Sequence, residues 1–244
     1  MNTKTFTLIA TVVTLAFASC CNYTQTSTSL KNDTDTASFY IGFNFGSQLK
    51  NASITEPNLK AFIAGINAAL AGKEAPSDPQ AMGMFVNQYV EKKVQEKSVK
   101  AKQEGEAFLA ANKQKEGVVT TESGLQYKIE KSGDGPIPTA SDVVKVHYRG
   151  TLLNGTEFDS SIKRSEPFQF QVGSGVIKGW SEAVQLMPVG SKWTLYIPSD
   201  LAYGPQGYYG IAGNETLIFE VELLEIVAQE NNETAEDAAH NHEH

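Results

Sequence analysis

The chain has 244 residues, 41% hydrophobic and 20% charged, with a formal net charge of -8. That is enough apolar material for one or two packed domains. The acidic balance, and the lack of a Lys/Arg stripe interleaved with aromatic residues, exclude the electrostatic footprint of a nucleic-acid binder.

The first segment, "MNTKTFTLIATVVTLAFASCC", has an early Lys4, an apolar stretch from Phe6 to Phe17 and small residues running into cysteine. That is a secretory signal layout, too short and wrongly flanked for a membrane span. "FASC" (17–20) resembles a bacterial lipobox, with Cys20 as the expected lipidated residue and new N-terminus over residues 1–19. Cys21 is the runner-up, and an ordinary cleaved signal peptide is the alternative. Both cysteines of the chain lie here, so the folded body has no disulfide framework. Acyl chains on one cysteine would tether a soluble body to a bilayer of the cell envelope. Residues 20–36, Thr-rich and polar, read as a flexible tether.

From Ala37 the apolar period becomes helical. Phe39 and Phe43, and Ile41, Phe45 and Leu49, recur at intervals near four. Leu59, Ile63, Ile66 and Leu70 share a face of a second helix, with Pro57 in its first turn and Gly72 at its end. A third helix starts at "SDPQ", capped by Ser77 or Asp78 with Pro79 in the first turn. It can run to Glu116, on the order of 55 Å. Its first half has an apolar stripe of Phe85, Val86, Tyr89, Val90 and Val94. From Glu96 to Glu106 it is charged, with Glu96 and Lys100 as a favourable pair and Gly105 as a weak point. Such a polar helix usually bridges domains through solvent. Residues 37–94 offer a small core for a separate helical domain, and pairing with a second copy would remedy that. The alternative is packing on the C-terminal domain of the same chain. Residues 95–116 read as the continuing connecting helix.

From residue 117 the period changes to two. "LQYKIEK", "VVKVHYRGTLL", "EPFQFQV", "KWTLYIPS" and "TLIFEVELLEIV" read as strands, with a hairpin turn at Asn154-Gly155. One short helix around Trp180 interrupts them. The expected fold class is α+β: an antiparallel sheet wrapped around a short helix over 117–228, preceded by an all-α region. The tail, 229–244, is acidic and carries His240, His242 and His244. Without a rigid frame these read as solvated, so no metal site is expected.

The usual catalytic signatures are missing. There is no Gly-rich phosphate loop, and His147 is the one histidine of the body, so a Ser/His/Asp triad has no support. What remains is a set of aromatic and apolar residues near turns, with one carboxylate, Asp159, among them. Each has a plain structural reading: core packing for Phe168, Val176 and Phe219, a turn cap for Asp159, a surface ion pair for Arg164.

"VHYRGTLLNGTEFDSS", "PFQFQVGSGVIKGWSEAV", "IPSDLAYGPQGYYGI" and "TLIFEVELL" resemble the FK506-binding (FKBP) family of peptidyl-prolyl cis/trans isomerases across residues 118–228. The helical front and its long connecting helix resemble the Mip/FkpA branch with its N-terminal dimerising region. The resemblance implies a pocket for an Xaa-Pro bond. Tyr148, Phe158, Asp159, Tyr203 and Phe219 would be its catalytic residues, with the Tyr203 hydroxyl bonding a substrate carbonyl. Arg164, Phe168, Val176, Ile177, Trp180 and Ile211 would bind substrate, with Arg164 holding the aspartate side and Trp180 under the proline ring. A glycine beside Trp180 would leave an indole face open to that ring. The loop "GPQGYYGIAGNETL" departs from the family, where a proline pair is frequent.

Amide rotation breaks resonance over a barrier near 20 kcal/mol. An apolar cup that disfavours the planar, more polar amide, aided by a fixed donor, needs no nucleophile, cofactor or metal. The expected function is therefore a prolyl isomerase assisting the folding of exported proteins. It would be lipid-anchored to a bacterial membrane, taken as the outer membrane facing the periplasm, and homodimeric through residues 37–94. Its partners would be unfolded or proline-containing polypeptides, with FK506 or rapamycin-type ligands also fitting. The alternatives are a non-catalytic chaperone or peptide-binding lipoprotein, and a scaffold whose helical domain is the main business.

Overall fold

The computed structural model describes residues 29–227. Cys20 and Cys21, the signal segment and the acidic tail lie outside the described residues. No helix of the described residues is long and apolar enough to cross a membrane. Residue contacts divide the chain into one unit ending at Asn44 and a second starting at Phe45.

Helix α1 (Asp33–Asn51) begins four residues before the expected Ala37. Asn32 Oδ1 accepts from the Asp35 N–H at 2.9 Å, and Asp35 Oδ2 accepts from the Lys31 N–H at 3.0 Å. This reciprocal cap, with Asp33 and Asp35 at the positive end of the helix dipole, draws the end of the Thr-rich run into the helix.

Helix α2 (Leu59–Leu70) is capped by Asn58, whose Oδ1 accepts from the Ala61 N–H at 3.0 Å. Pro57 therefore precedes the cap instead of occupying the first turn. Helix α3 (Pro79–Asn112) starts as expected, with the Asp78 carboxylate accepting from the Ala81 N–H at 3.0 Å. No residue of α1 or α2 is buried, and the buried residues of α3 begin only at Ser98. Leu70 is 81% and Phe85 71% exposed, so residues 37–94 enclose no core of their own.

The second half of α3 corrects the expectation of a helix bridging through solvent. Ser98, Ala101, Gly105 and Asn112 are buried. Their spacings of three, four and seven put them on one narrow stripe. The charges flanking the stripe hid it in the sequence. They point outward in exposed pairs such as Lys100–Glu104 (3.6 Å) and Lys102–Glu106 (3.9 Å). Glu96 is held by Lys93 at 2.7 Å instead of by Lys100. At the end of α3, Asn112 Nδ2 donates to Gln126 Oε1 (3.0 Å) and Gln126 Nε2 donates to Leu109 O (2.9 Å).

The rest is one antiparallel sheet of β1 (Val118–Thr120), β2 (Gln126–Lys131), β3 (Val143–Leu152), β4 (Glu157–Ser160), β5 (Phe168–Gln171), β6 (Lys192–Ile197) and β7 (Leu217–Val227). The order is β1-β2-β6-β7-β3-β4, and β5 also pairs with β3. One edge of β3 is shared: β5 runs along Val143–Val146 and β4 along Arg149–Thr151. The β3–β4 hairpin turns at Asn154-Gly155, where only Gly155 has positive φ (80°) and Asn154 Oδ1 accepts from the Thr156 N–H.

Alternation along the strands sorts the faces. Val144, Val146 and Tyr148, then Leu195 and Ile197, then Leu217, Phe219, Val221 and Leu223, turn inward. They form one cluster with Trp180, Ala183 and Val184 of the short helix α5 (Lys178–Val184). The gap between β3, β4 and α5 is where the cavity described below opens.

Candidate active site

Helix α4 (Ser161–Arg164) follows β4 directly. Ser160 caps it, while Ser161 Oγ accepts from the Tyr148 N–H at 2.8 Å. The two serines of "FDSS" thus tie β4 to β3 and set Tyr148, a job the sequence reading did not assign. His147 stands with Nδ1 3.1 Å from Ser161 Oγ and does not line the cavity.

Asp159 is the polar centre. Tyr148 Oη donates to its Oδ2, Arg164 Nη1 donates to its Oδ1, and the Ser160 N–H donates to Oδ1 at 2.8 Å. Arg164 Nη2 closes the triangle by donating to Tyr148 Oη at 2.9 Å. Burial pushes the Asp159 carboxyl up, but the hydrogen bonds from Tyr148 and Arg164 and the guanidinium charge outweigh it and hold it below the ordinary carboxylate range. Burial, followed by the Asp159 contact, raises the Tyr148 hydroxyl, so it stays a neutral donor.

A cavity of about 320 Å³ opens beside this triangle. β3 and β4 supply Tyr148, Phe158 and Asp159, α4 and β5 supply Arg164 and Phe168, and β7 supplies Phe219. Val176, Ile177 and Trp180 come from the start of α5, and Tyr203 from the segment after β6. Ten of the eleven expected pocket residues therefore line one cavity. The exception is Ile211, 8% exposed and packed in the core cluster, which is not among the lining residues. The cause is local: Ile211 and Tyr208 pair backbone to backbone, N–H to O both ways (2.8 and 3.0 Å), which folds the segment back on itself.

Trp180 is only 4% exposed. Tyr148 and Phe219 stand edge-on to it at 5.0 and 5.2 Å, and Phe170 lies at 5.5 Å. Its indole reaches the cavity with little of its surface, not with an open face. The neighbouring glycine has another cause: a Cβ on Gly179 would lie 2.5 Å from Ile197 Cγ2, so glycine lets α5 pack on β6.

Several donors of cavity-lining residues lack protein acceptors among the described residues, the buried Trp180 indole N–H being one. The Tyr203 hydroxyl has no hydrogen-bond partner among the described residues, and the Ile177 N–H, just ahead of α5, donates to none. Apart from these donors and the Tyr148–Asp159–Arg164 triangle, the lining is apolar. Such a site can hold a ring-shaped apolar group and offer hydrogen bonds to carbonyls beside it.

Gly150 was also missed, though it stands in the quoted "VHYRG". A Cβ there would lie 2.7 Å from both Phe158 Cζ and Phe219 Cε1. Gly150→Ala is expected to push these rings into the cavity and raise KM for an Xaa-Pro peptide about tenfold or more, with the loss chiefly in KM. Peptide turnover and calorimetric binding check this.

Fold and cavity together define an α+β protein with an aromatic-walled cavity of a size and lining suited to an apolar ring. The chain matches the family "FKBP-type peptidyl-prolyl cis-trans isomerase" over residues 135–224, and the "domain amino terminal to FKBP-type peptidyl-prolyl isomerase" over 34–129. FkpA of Aeromonas hydrophila is 43% identical over 209 residues, 80% of this chain and 77% of that protein. The outer membrane protein MIP of Legionella longbeachae is 44% identical, covering 82% and 88%. The crystal structure of FkpA from Escherichia coli superposes with a TM-score of 0.62 at 34% identity, covering 81% of this chain and 98% of that one. The chain belongs to the FKBP-type peptidyl-prolyl cis-trans isomerases, in their Mip/FkpA branch. It is a prolyl isomerase whose substrates are proline-containing polypeptides, and the non-catalytic reading is not favoured.

Proposed function

We propose that the proline of an exported polypeptide enters the cavity above Trp180, and that its Xaa-Pro bond turns there. What carries this reading is the pairing of an aromatic cup with the unpartnered Tyr203 hydroxyl and Ile177 N–H. The planar amide loses more solvation than the twisted one on entering such a cup. A donor fixed in the protein then stabilises the carbonyl in the twisted geometry without reorganising. Tyr148, Asp159 and Arg164 keep the polar wall in one arrangement, and Phe158, Phe168, Val176 and Phe219 complete the apolar walls. A macrolide of the FK506 or rapamycin type would compete for the same cavity.

The protein acts as a homodimer through residues 37–94. The exposed Phe39, Phe43, Ile63 and Ile66, on helices that bury nothing, and the exposed Phe85, on the part of α3 before its first buried residue, support this, since such apolar area on one chain calls for a covering partner. Two cavities on one particle raise the local concentration of sites along an unfolded chain. Lipid on Cys20 would hold the dimer at the envelope, facing the periplasm. That a relative is named an outer membrane protein supports this placing.

The test pairs refolding of a proline-limited secreted protein with sedimentation equilibrium. The reading requires acceleration that a macrolide abolishes, and a particle of twice the chain mass. A monomer, or acceleration indifferent to saturating macrolide, would count against it.

A further inference from the structure

The loop from Tyr203 to Thr216 leaves one wall of the cavity and returns to another, since Thr216 leads into β7 and Phe219. Its base is fastened to α3. Asn214 Nδ2 donates to Ser98 Oγ at 2.8 Å, and Ser98 is 5% exposed. The same Asn214, in the left-handed region (φ 63°), donates its backbone N–H to Gly204 O at 2.8 Å. Gly204 is the residue after Tyr203. A Cβ on Gly213 would lie 2.0 Å from Pro205 O and 3.0 Å from Ser98 Oγ, so both limbs of the loop and the helix meet at one point. About two turns further along α3, a Cβ on Gly105 would lie 2.3 Å from Thr216 Oγ1, and Thr216 is 3% exposed.

The tip of the loop is free by comparison. Tyr209 is 91% exposed, and Tyr208 53%. Tyr203 stacks on Tyr208 at 4.9 Å, so part of its packing is with the loop's own tip. Its hydroxyl has no partner among the described residues to orient it. The placing of that hydroxyl therefore depends on how firmly the loop base is held.

We propose that α3 is a positioning element of the active site: Ser98, through Asn214, and Gly105, against Thr216, fasten the base of the 203–216 loop and thereby aim the Tyr203 hydroxyl. This rests on the reading of the cavity as the reaction site. It accounts for a glycine in the middle of a long helix, where glycine otherwise weakens the element. It also gives the buried stripe of α3 a purpose beyond attachment. Neither Ser98 nor Gly105 touches substrate; both act through the loop.

The test is a double-mutant cycle on the full chain, because coupling appears as non-additivity. Ser98→Ala and Gly105→Leu are made with Tyr203 present and in a Tyr203→Phe background, and kcat and KM are measured on one Xaa-Pro peptide. With Tyr203 intact, Ser98→Ala should lower kcat about fivefold and Gly105→Leu about tenfold, with KM changed less than about twofold. In the Tyr203→Phe background each should cost less than about twofold, because the group being aimed is already gone. Ser98→Ala is the milder change and carries the test if Gly105→Leu fails to fold. Equal losses in both backgrounds, or no loss in either, would overturn the proposal. A Tyr203→Phe variant as active as the wild type would overturn it too, and would show separately that the hydroxyl's assigned role is wrong.

Discussion

Asp159→Ala is expected to lower kcat/KM by about tenfold to a hundredfold, or about 1.4 to 2.7 kcal/mol of transition-state stabilisation. The carboxylate accepts from the Tyr148 hydroxyl, the Arg164 guanidinium and the Ser160 N–H. Charge-assisted bonds of this kind contribute about 1.5 to 3 kcal/mol each where they are dry. Here the Asp159 and Arg164 side chains are 41% and 49% exposed, so solvent screens the pair and its contribution to stability is small. The loss should therefore fall on turnover and leave Tm nearly unmoved. Acid should reproduce the defect. Against its burial, the hydrogen bonds from Tyr148 and Arg164 hold the Asp159 carboxyl below the ordinary aspartate value of about 3.9. Its ionised arrangement is complete above that value and is lost as the pH falls through the lower, folded-state value. Wild-type activity should thus hold to about pH 4 and fall beneath it, a limb that the Ala variant lacks. Peptide isomerisation across pH, with calorimetric Tm, checks both. A large fall in Tm with unchanged turnover would reverse the assignment.

The opposite balance is expected at Phe219. Phe219→Ala should destabilise the protein by about 3 to 5 kcal/mol, the usual range for emptying a buried aromatic site. Phe219 is 4% exposed and meets Trp180, Phe158 and Tyr148 at ring distances of 5.2, 5.5 and 6.2 Å. It sits on β7, which pairs with both β3 and β6 at the centre of the sheet, so the neighbours have little freedom to collapse into the space. For a chain of this size, Tm should fall by about 6 to 20 °C. Urea unfolding measures the change directly. A cost under about 1 kcal/mol would mean that the aromatic cluster is looser than described.

Much of this was legible because the residues that matter report on their local period. The change of apolar period to two marked β3, β6 and β7 as strands, and the Asn154-Gly155 pair marked the hairpin. The pocket residues were legible as a set through the order of their motifs. What escaped depended on contacts distant in sequence. Ser98, Ala101 and Gly105 are small residues among lysines and glutamates, and nothing nearby signals that Thr216 and Asn214 lie against them. Gly150 and Gly179 show their purpose only once Phe158, Phe219 and Ile197 stand opposite. Ile211 was placed at the cavity by its motif position, whereas its pairing with Tyr208 turns it into the core. The early start of α1 was hidden by threonines, whose weak helix propensity the Asn32 and Asp35 cap overcomes.

Seating of the proline ring against Trp180 can be followed by fluorescence. Of the two tryptophans, Trp193 stacks on Tyr127 at 4.4 Å and does not line the cavity. Trp193→Phe keeps a ring there and leaves Trp180 as the sole indole. Titrating that variant with an Xaa-Pro peptide should change Trp180 emission with a midpoint equal to the peptide's inhibition constant in the isomerase assay, and a macrolide should reverse the change. Saturable turnover with Trp180 emission unmoved would show that the bond is turned somewhere else.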